Sequence, residues 1–287
     1  MNAEGLAKVI DSPELDKVAE PLSKGIRNTY SAAGPAGAAL KDALHGVWLG
    51  HPLHPVFTDV PIGAWTTALA LDLAADGDPG MERAATFAFG VGLAGAAGAA
   101  VTGLTDWSET EGQARRTGLL HGLLNITATT LVATAFLRRR GNGSRGSRAL
   151  AWTGYAIALG SAYLGGDLVY SKRIGVTHAA VDAPDTFTPV ARTADVAEGA
   201  MLHARKDGID VLLVRQDGRL RALAHPCSHM GGPLSEGTLE HGCVVCPWHG
   251  SRFALDDGQV INGPATQPQP AFDVREDDGI IAVKART

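Results

Sequence analysis

The pattern of hydrophobic and polar positions changes character twice along the chain. Residues 1–55 are mixed, with Pro13, Pro21, Gly34-Pro35, Pro52 and Pro55 punctuating short helical stretches. From residue 56 charge almost disappears over four segments, 56–75, 84–105, 117–137 and 149–170. A bilayer core needs ~20 apolar residues per helix, so each segment is long enough to span. Residues 171–189 then mix small and polar residues around Pro184 and Pro189. Beyond them the period becomes that of short strands, at 209–215, 220–224, 243–246 and 280–284. Turn signals separate these runs at Asp217-Gly218, Glu236-Gly237, His241-Gly242 and Asp257-Gly258. The pattern predicts a multidomain chain: a four-helix transmembrane bundle followed by a small all-β domain. The expected division is a polar N-terminal tail at 1–55, the bundle at 56–170, a linker at 171–189 and the β domain at 190–287.

Composition supports a membrane reading and excludes several others. Charged residues make up 19% of the chain, against about 25% in ordinary soluble proteins. The apolar segments are poor in Leu and rich in Ala, Gly and Thr. In the second, Gly90, Ala94, Gly98 and Thr102 fall four apart on one face, and Gly95, Ala99 and Gly103 on another. Small residues at that spacing let helix backbones approach closely in a membrane. The competing reading is a soluble Ala/Gly-rich four-helix bundle. A net charge of −5 offers no basic field for nucleic acid. Three cysteines, all in the last third, cannot build a disulfide framework. The first apolar run is too short for a signal peptide. Arginines in the 138–148 loop and Arg83 oppose Lys41, Arg115, Arg116, Lys172 and Arg173 across the bundle, six against five. That balance barely orients the helices; the expectation adopted is a cytoplasmic C-terminal domain.

The chemistry is concentrated in His225-Pro-Cys227-Ser-His229-Met-Gly231-Gly232-Pro-Leu234 and Cys246-Pro-Trp248-His249-Gly-Ser251-Arg-Phe253. The pattern is C-x-H, sixteen residues, then C-x-x-H. Each half carries one thiolate and one imidazole. Two such loops face to face can hold two metal ions, with the sulfurs on one and the nitrogens on the other. A structural zinc is the alternative, since the same donors bind Zn tetrahedrally, although zinc fingers usually pair like with like.

This spacing resembles the Rieske iron–sulfur family over 189–287. The resemblance implies a 2Fe-2S cluster with Cys227 and Cys246 on the buried iron and His229 and His249 on the outer iron. Imidazoles in place of two thiolates raise the cluster potential, and their protons can link electron transfer to pH. The respiratory branch has a disulfide-forming cysteine in each loop, where this chain has Gly232 and Trp248. Ser251 keeps a hydroxyl donor for the cluster, whereas the family's tyrosine is replaced by Phe253. Fewer donors imply a lower potential, closer to ferredoxin-type Rieske proteins. Rieske oxygenases need a further mononuclear-iron domain. The 38 residues after His249 are too few for one, so the chain is not expected to be an oxygenase alone. Cys243 lies outside the motif and reads as a small buried hydrophobe.

In the first half, His51-Pro-Leu-His54-Pro precedes the first apolar helix, and His45 lies shortly before it. His121 sits within the third, with Asn125 one turn on and on the same face. Asp59, Asp72, Asp106 and Asp167 lie within or at the ends of the segments. Ionisable groups at membrane depth point to a site facing the bundle interior. The string HPLHPVFTDVPIGAW, with GLTDW at 103–107 and GGDLV at 165–169, resembles the bacterial membrane domain of unknown function 2231. That resemblance implies a multi-pass domain of a bacterial inner membrane. His51 or His54 with His121 would suit axial ligation of haem b; with Asp59 they would suit another metal or a quinone pocket. A plain membrane anchor is the simplest alternative.

Two functions follow as expectations. One is a membrane-bound electron-transfer protein exchanging single electrons with a reductase or oxygenase-type partner, or with a membrane quinone. The other is a membrane-tethered redox sensor or scaffold in which cluster state controls partner binding. The chain shows no G-x-G-x-x-G after a strand, no P-loop and no H-E-x-x-H. It is thus expected to be an electron carrier rather than a self-contained catalyst.

Overall fold

The computed structural model describes residues 3–141, 146–179 and 183–286. Arg145 of the arginine-rich loop and residues 180–182 of the expected linker lie outside them. The chain forms two compact units, Met1–Leu40 with Pro52–Ile174, and Lys41–His51 with Gly175–Thr287.

The first unit is helical. Its main helices are α4 (His54–Ala74), α5 (Pro79–Ser108), α6 (Gly112–Arg140) and α7 (Ser147–Tyr170). They coincide closely with the four charge-poor segments. Two of them, α5 and α6, are long and apolar enough to cross a membrane by length and composition. The helix α5 starts where the sequence provides a cap: Asp78 Oδ1 accepts from the amides of Gly80 and Met81 at 2.6 and 3.0 Å, and Pro79 takes the first position. Its small residues are contact points with α4. A Cβ at Gly92 would meet the Trp65 ring at 2.2 Å, one at Gly95 would meet Val60 at 2.5 Å, and one at Gly98 would meet Phe57 at 2.5 Å. Gly90 instead faces Phe136 of α6.

Residues 1–55, expected as a polar tail, contain α1 (Ala3–Ile10), α2 (Asp16–Ala32) and α3 (Gly34–His45), the last shared between the units. The polar side chains of α2 find partners on α5 and α6. The Arg27 guanidinium donates to the Ser108 carbonyl, Tyr30 Oη lies 2.7 Å from Thr105 Oγ1, and Arg116 pairs with Asp16 at 3.0 Å. Within the bundle, Arg139 of α6 grips Asp72 of α4 with both guanidinium nitrogens, one at 2.7 Å, and both side chains are buried. Thr102, Thr105, Thr117 and Ser161 are also buried, while Leu73, Phe87, Leu137 and Tyr163 are exposed.

The second unit is built on antiparallel sheets. One has the order β1 (Thr188–Arg192), β10 (Ile280–Ala285), β9 (Ala271–Asp277), β4 (Arg219–Ala224), β3 (Ile209–Gln216) and β2 (Met201–Lys206). The other is β5 (Thr238–Glu240), β6 (Cys243–Val245), β7 (Arg252–Ala254) and β8 (Val260–Asn262). The run IDVLLVR becomes the interior strand β3 and serves both faces. Val211 and Leu213 join a core with Phe272, Ile281 and Val283, while Leu212 and Val214 join one with Leu223, Leu234, Val244 and Phe253. Alternation along the strand sorts them this way. Asp217-Gly218 and His241-Gly242 have positive φ at both residues, the geometry tight hairpin turns require.

Candidate metal centre

Two loops carry the expected ligands. One follows β4 and holds Cys227 and His229; the other joins β6 to β7 and holds Cys246 and His249. Their backbones close in the same way. The Cys227 amide donates to the Gly232 carbonyl at 2.8 Å, and the Gly231 amide returns to the Cys227 carbonyl at 2.8 Å. The Cys246 amide donates to the Ser251 carbonyl at 2.8 Å, and the Gly250 amide returns to the Cys246 carbonyl at 3.1 Å. Gly231 and Gly250 occupy equivalent places with φ of 78° and 74°, where a side chain would be strained.

The donor atoms gather as two pairs. Cys227 and Cys246 are both buried, and each thiol perturbs the other. The neighbouring Cys246, with burial, raises the Cys227 thiol, while Cys227 draws Cys246 down to about 7. The rings of His229 and His249 are 5.1 Å apart at 90°. His229 is held well below the usual imidazole range by burial first, and then by the neighbouring His249, His45, Lys41 and His178. Its Nδ1 is buried without a hydrogen-bond partner. A neutral imidazole with an unpaired buried nitrogen is what a metal ligand requires. The four donors do not converge on one point, as a tetrahedral zinc site would need. Separate sulfur and nitrogen pairs suit a two-iron cluster.

The surroundings shape this space. A Cβ on Gly232 would stand 2.8 Å from Cys246 Sγ and about as close to the Trp248 ring, at 3.1 Å. Trp248 is itself exposed. Ser251 is fully buried, and its Oγ accepts from the Ala265 amide at 3.0 Å, which leaves its hydroxyl hydrogen available as a donor. Phe253 is fully buried in the core beneath the loops.

Sequence reasoning missed Gln269, which is buried and holds the first loop at three points. Its Oε1 accepts from the Ser228 amide at 2.9 Å, and its Nε2 donates to the carbonyls of Ala224 and Pro226, each at 2.6 Å. Only its distance in sequence hid it. Residues 41–51 were missed as well. Asp42 accepts from the Asn262 side chain at 3.1 Å and the Gly263 amide at 3.0 Å, and Gln267 donates to the Gly50 carbonyl at 2.6 Å. His45 and His51 therefore belong to the β unit. Elsewhere in that unit His203 and His225 stack at 3.5 Å beside Asp210, the only group among the described residues with three donors within reach of a single ion.

In the helical unit the structure brings His54, not His51, to His121, with ring centres 6.4 Å apart. Asp59 is exposed on α4.

Both halves of the chain resemble known proteins. The Rieske 2Fe-2S domain model matches residues 186–273, and the model described as a predicted membrane protein, DUF2231, matches residues 50–178. Apoptosis-inducing factor 3 from Mus musculus is 33% identical over 96 residues, which is 33% of this chain but only 16% of that protein. The 3-phenylpropionate/cinnamic acid dioxygenase ferredoxin subunits of Photorhabdus laumondii and Escherichia coli are 37% and 34% identical, over 26% and 31% of this chain and 71% and 85% of theirs. The solved ferredoxin of carbazole 1,9a-dioxygenase from Nocardioides aromaticivorans is 28% identical over 35% of this chain and 99% of its own, with a TM-score of 0.33. The chain belongs to the Rieske 2Fe-2S family through its C-terminal domain, which it joins to a membrane-protein domain of the DUF2231 type.

Proposed function

We propose that the protein is a membrane-bound electron-transfer protein. Its Rieske domain and ferredoxin relatives support an iron–sulfur electron carrier. The finer reading assigns Cys227 and Cys246 to the inner iron and His229 and His249 to the outer iron. The observation that carries it is the pair of identically closed loops, which aim two thiols into one space and two imidazoles into another. When bound, the cluster supplies one-electron oxidation and reduction. The chain's own residues do the rest. The buried thiols keep water from the inner side, and the buried Ser251 keeps a hydroxyl proton that it would offer to a cluster sulfur. Ligation through the orphan Nδ1 of His229 leaves the ring proton on Nε2.

The helical unit serves as a multi-pass anchor in a bacterial inner membrane, with the Rieske domain on the cytoplasmic side. Its buried Asp72–Arg139 pair and hydroxyls, set against exposed Leu73, Phe87, Leu137 and Tyr163, suit a bundle that faces lipid. The partner is a reductase or oxygenase-type redox protein, as for the dioxygenase ferredoxins, or a quinone or haem in the membrane. Stopped-flow mixing of the reduced full chain in detergent with an oxidised Rieske-dependent oxygenase tests the carrier reading. Electron exchange at least as fast as oxygenase turnover supports it. Exchange far slower than turnover, with the partner binding in one redox state only, contradicts it in favour of a sensor.

A further inference from the structure

The four main helices of the first unit form two hairpins with a shared internal plan. In the first, His54 of α4 places Nδ1 2.9 Å from the Ala99 carbonyl of α5, 45 residues on. In the second, His121 of α6 places Nδ1 2.9 Å from the Ser161 carbonyl of α7, 40 residues on. One turn beyond each carbonyl lies a glycine against the imidazole. A Cβ on Gly103 would stand 2.7 Å from the His54 ring, and one on Gly165 would stand 3.2 Å from the His121 ring. Each hairpin thus holds one imidazole by the same two devices, a backbone carbonyl and a bare glycine. The two rings meet across the seam between the hairpins, 6.4 Å apart at 86°.

We propose that His54 and His121 are the axial ligands of a b-type haem held between the two hairpins. This deepens the electron-transfer reading, on which it rests for its role but not for its chemistry. A carbonyl can only accept, so Nδ1 carries the proton in both rings, and Nε2 is the lone-pair nitrogen. That is the tautomer of a metal-bound histidine whose other nitrogen donates to a backbone carbonyl. Nitrogen–metal bonds of about 2.0 Å on opposite sides of one ion place two imidazole centres roughly 6 Å apart, which matches the observed spacing.

The number of donors selects the cofactor. Among the described residues no carboxylate, thiol or third imidazole joins the pair within reach of a single ion. A bare zinc ion takes three or four protein ligands, whereas haem iron arrives with four nitrogens and needs only two axial donors. Trp65 and Leu69 of α4 and Val132 of α6, in the bundle's aromatic and aliphatic core, lie eleven or more residues along their helices from His54 and His121, about 15 Å away. Beside the imidazoles themselves the facing helices present Gly103 and Gly165. Asn125 now donates to His121 Nε2 at 3.1 Å and gives up that position to the iron.

The test is titration of hemin into the full chain purified in detergent, followed by optical spectra before and after dithionite and a pyridine haemochrome assay. The expected result is saturation at one haem per chain, with a sharp Soret band and a reduced α-band. His54→Ala and His121→Ala each abolish that low-spin spectrum while helix content by far-UV circular dichroism and the gel-filtration profile in detergent stay at wild type, which shows that the helical unit of both variants remains folded. No saturable hemin binding by a chain with an intact Rieske signal overturns the haem and leaves the electron-carrier reading standing. Hemin binding unchanged in both variants overturns the ligand assignment. Haem bound by a chain that shows no Rieske signal contradicts the carrier reading and upholds this one.

Discussion

Gly232 packs so closely on Cys246 that an added Cβ would stand 2.8 Å from its Sγ. The glycine of one loop thereby keeps open the space into which the cysteine of the other projects. Gly232→Ala forces that sulfur or the Trp248 ring to move, at a cost of ~1–3 kcal/mol for overpacking. The variant should fold with its iron and acid-labile sulfide content sharply reduced, as measured by iron and sulfide assay. Wild-type cluster content would contradict this role.

Ser251→Ala should lower the midpoint potential in a redox titration. The hydroxyl hydrogen left free by the Ala265 contact is lost, and the reduced, more negative cluster loses a donor. The same change leaves the Ala265 amide without its acceptor, so the melting temperature should also fall, by an amount corresponding to ~1–3 kcal/mol. A lower melting temperature with an unchanged potential would assign Ser251 a structural role only.

Gln269→Leu keeps the volume but removes three hydrogen bonds that hold the first loop. At ~0.5–1.5 kcal/mol each, the loss should reach ~2–4 kcal/mol and speed cluster loss in the presence of a chelator. A chelation rate equal to wild type would show that the loop does not depend on this side chain.

In the helical unit, Asp72→Asn leaves Arg139 buried beside a neutral partner. Breaking such a pair costs ~3–5 kcal/mol, whereas replacing both members by apolar residues is often neutral. Thermal melts in detergent should therefore rank Asp72→Asn well below the double variant Asp72→Leu/Arg139→Met. The reverse order would remove the pair from the account of bundle stability.

Much of this was legible in the chain because the signals are local. The strand IDVLLVR, the Asp-Gly and His-Gly turns, the charge-poor helical segments and the C-x-H and C-x-x-H loops each express their structure within a few residues. What was not legible depends on distant partners. Gln269 reaches Ser228 across 41 residues, Asp42 reaches Gly263 across 221, and Arg27 reaches the Ser108 carbonyl across 81. No periodicity announces such contacts. The same reason separates His51 from His54. Three residues apart in one short motif, they fall in different units, because residues 41–51 find their hydrogen bonds on the β domain. The equivalence of His54 and His121 became visible only once the carbonyls of Ala99 and Ser161 were in place.

EPR of the iron-loaded full chain, before and after dithionite, tests most directly whether Cys227, Cys246, His229 and His249 hold a one-electron cluster. The expected result is silence when oxidised and a rhombic Rieske signal integrating to one spin per chain when reduced, absent in Cys246→Ser and His249→Ala. A fully iron-loaded chain that stays silent after reduction would contradict it.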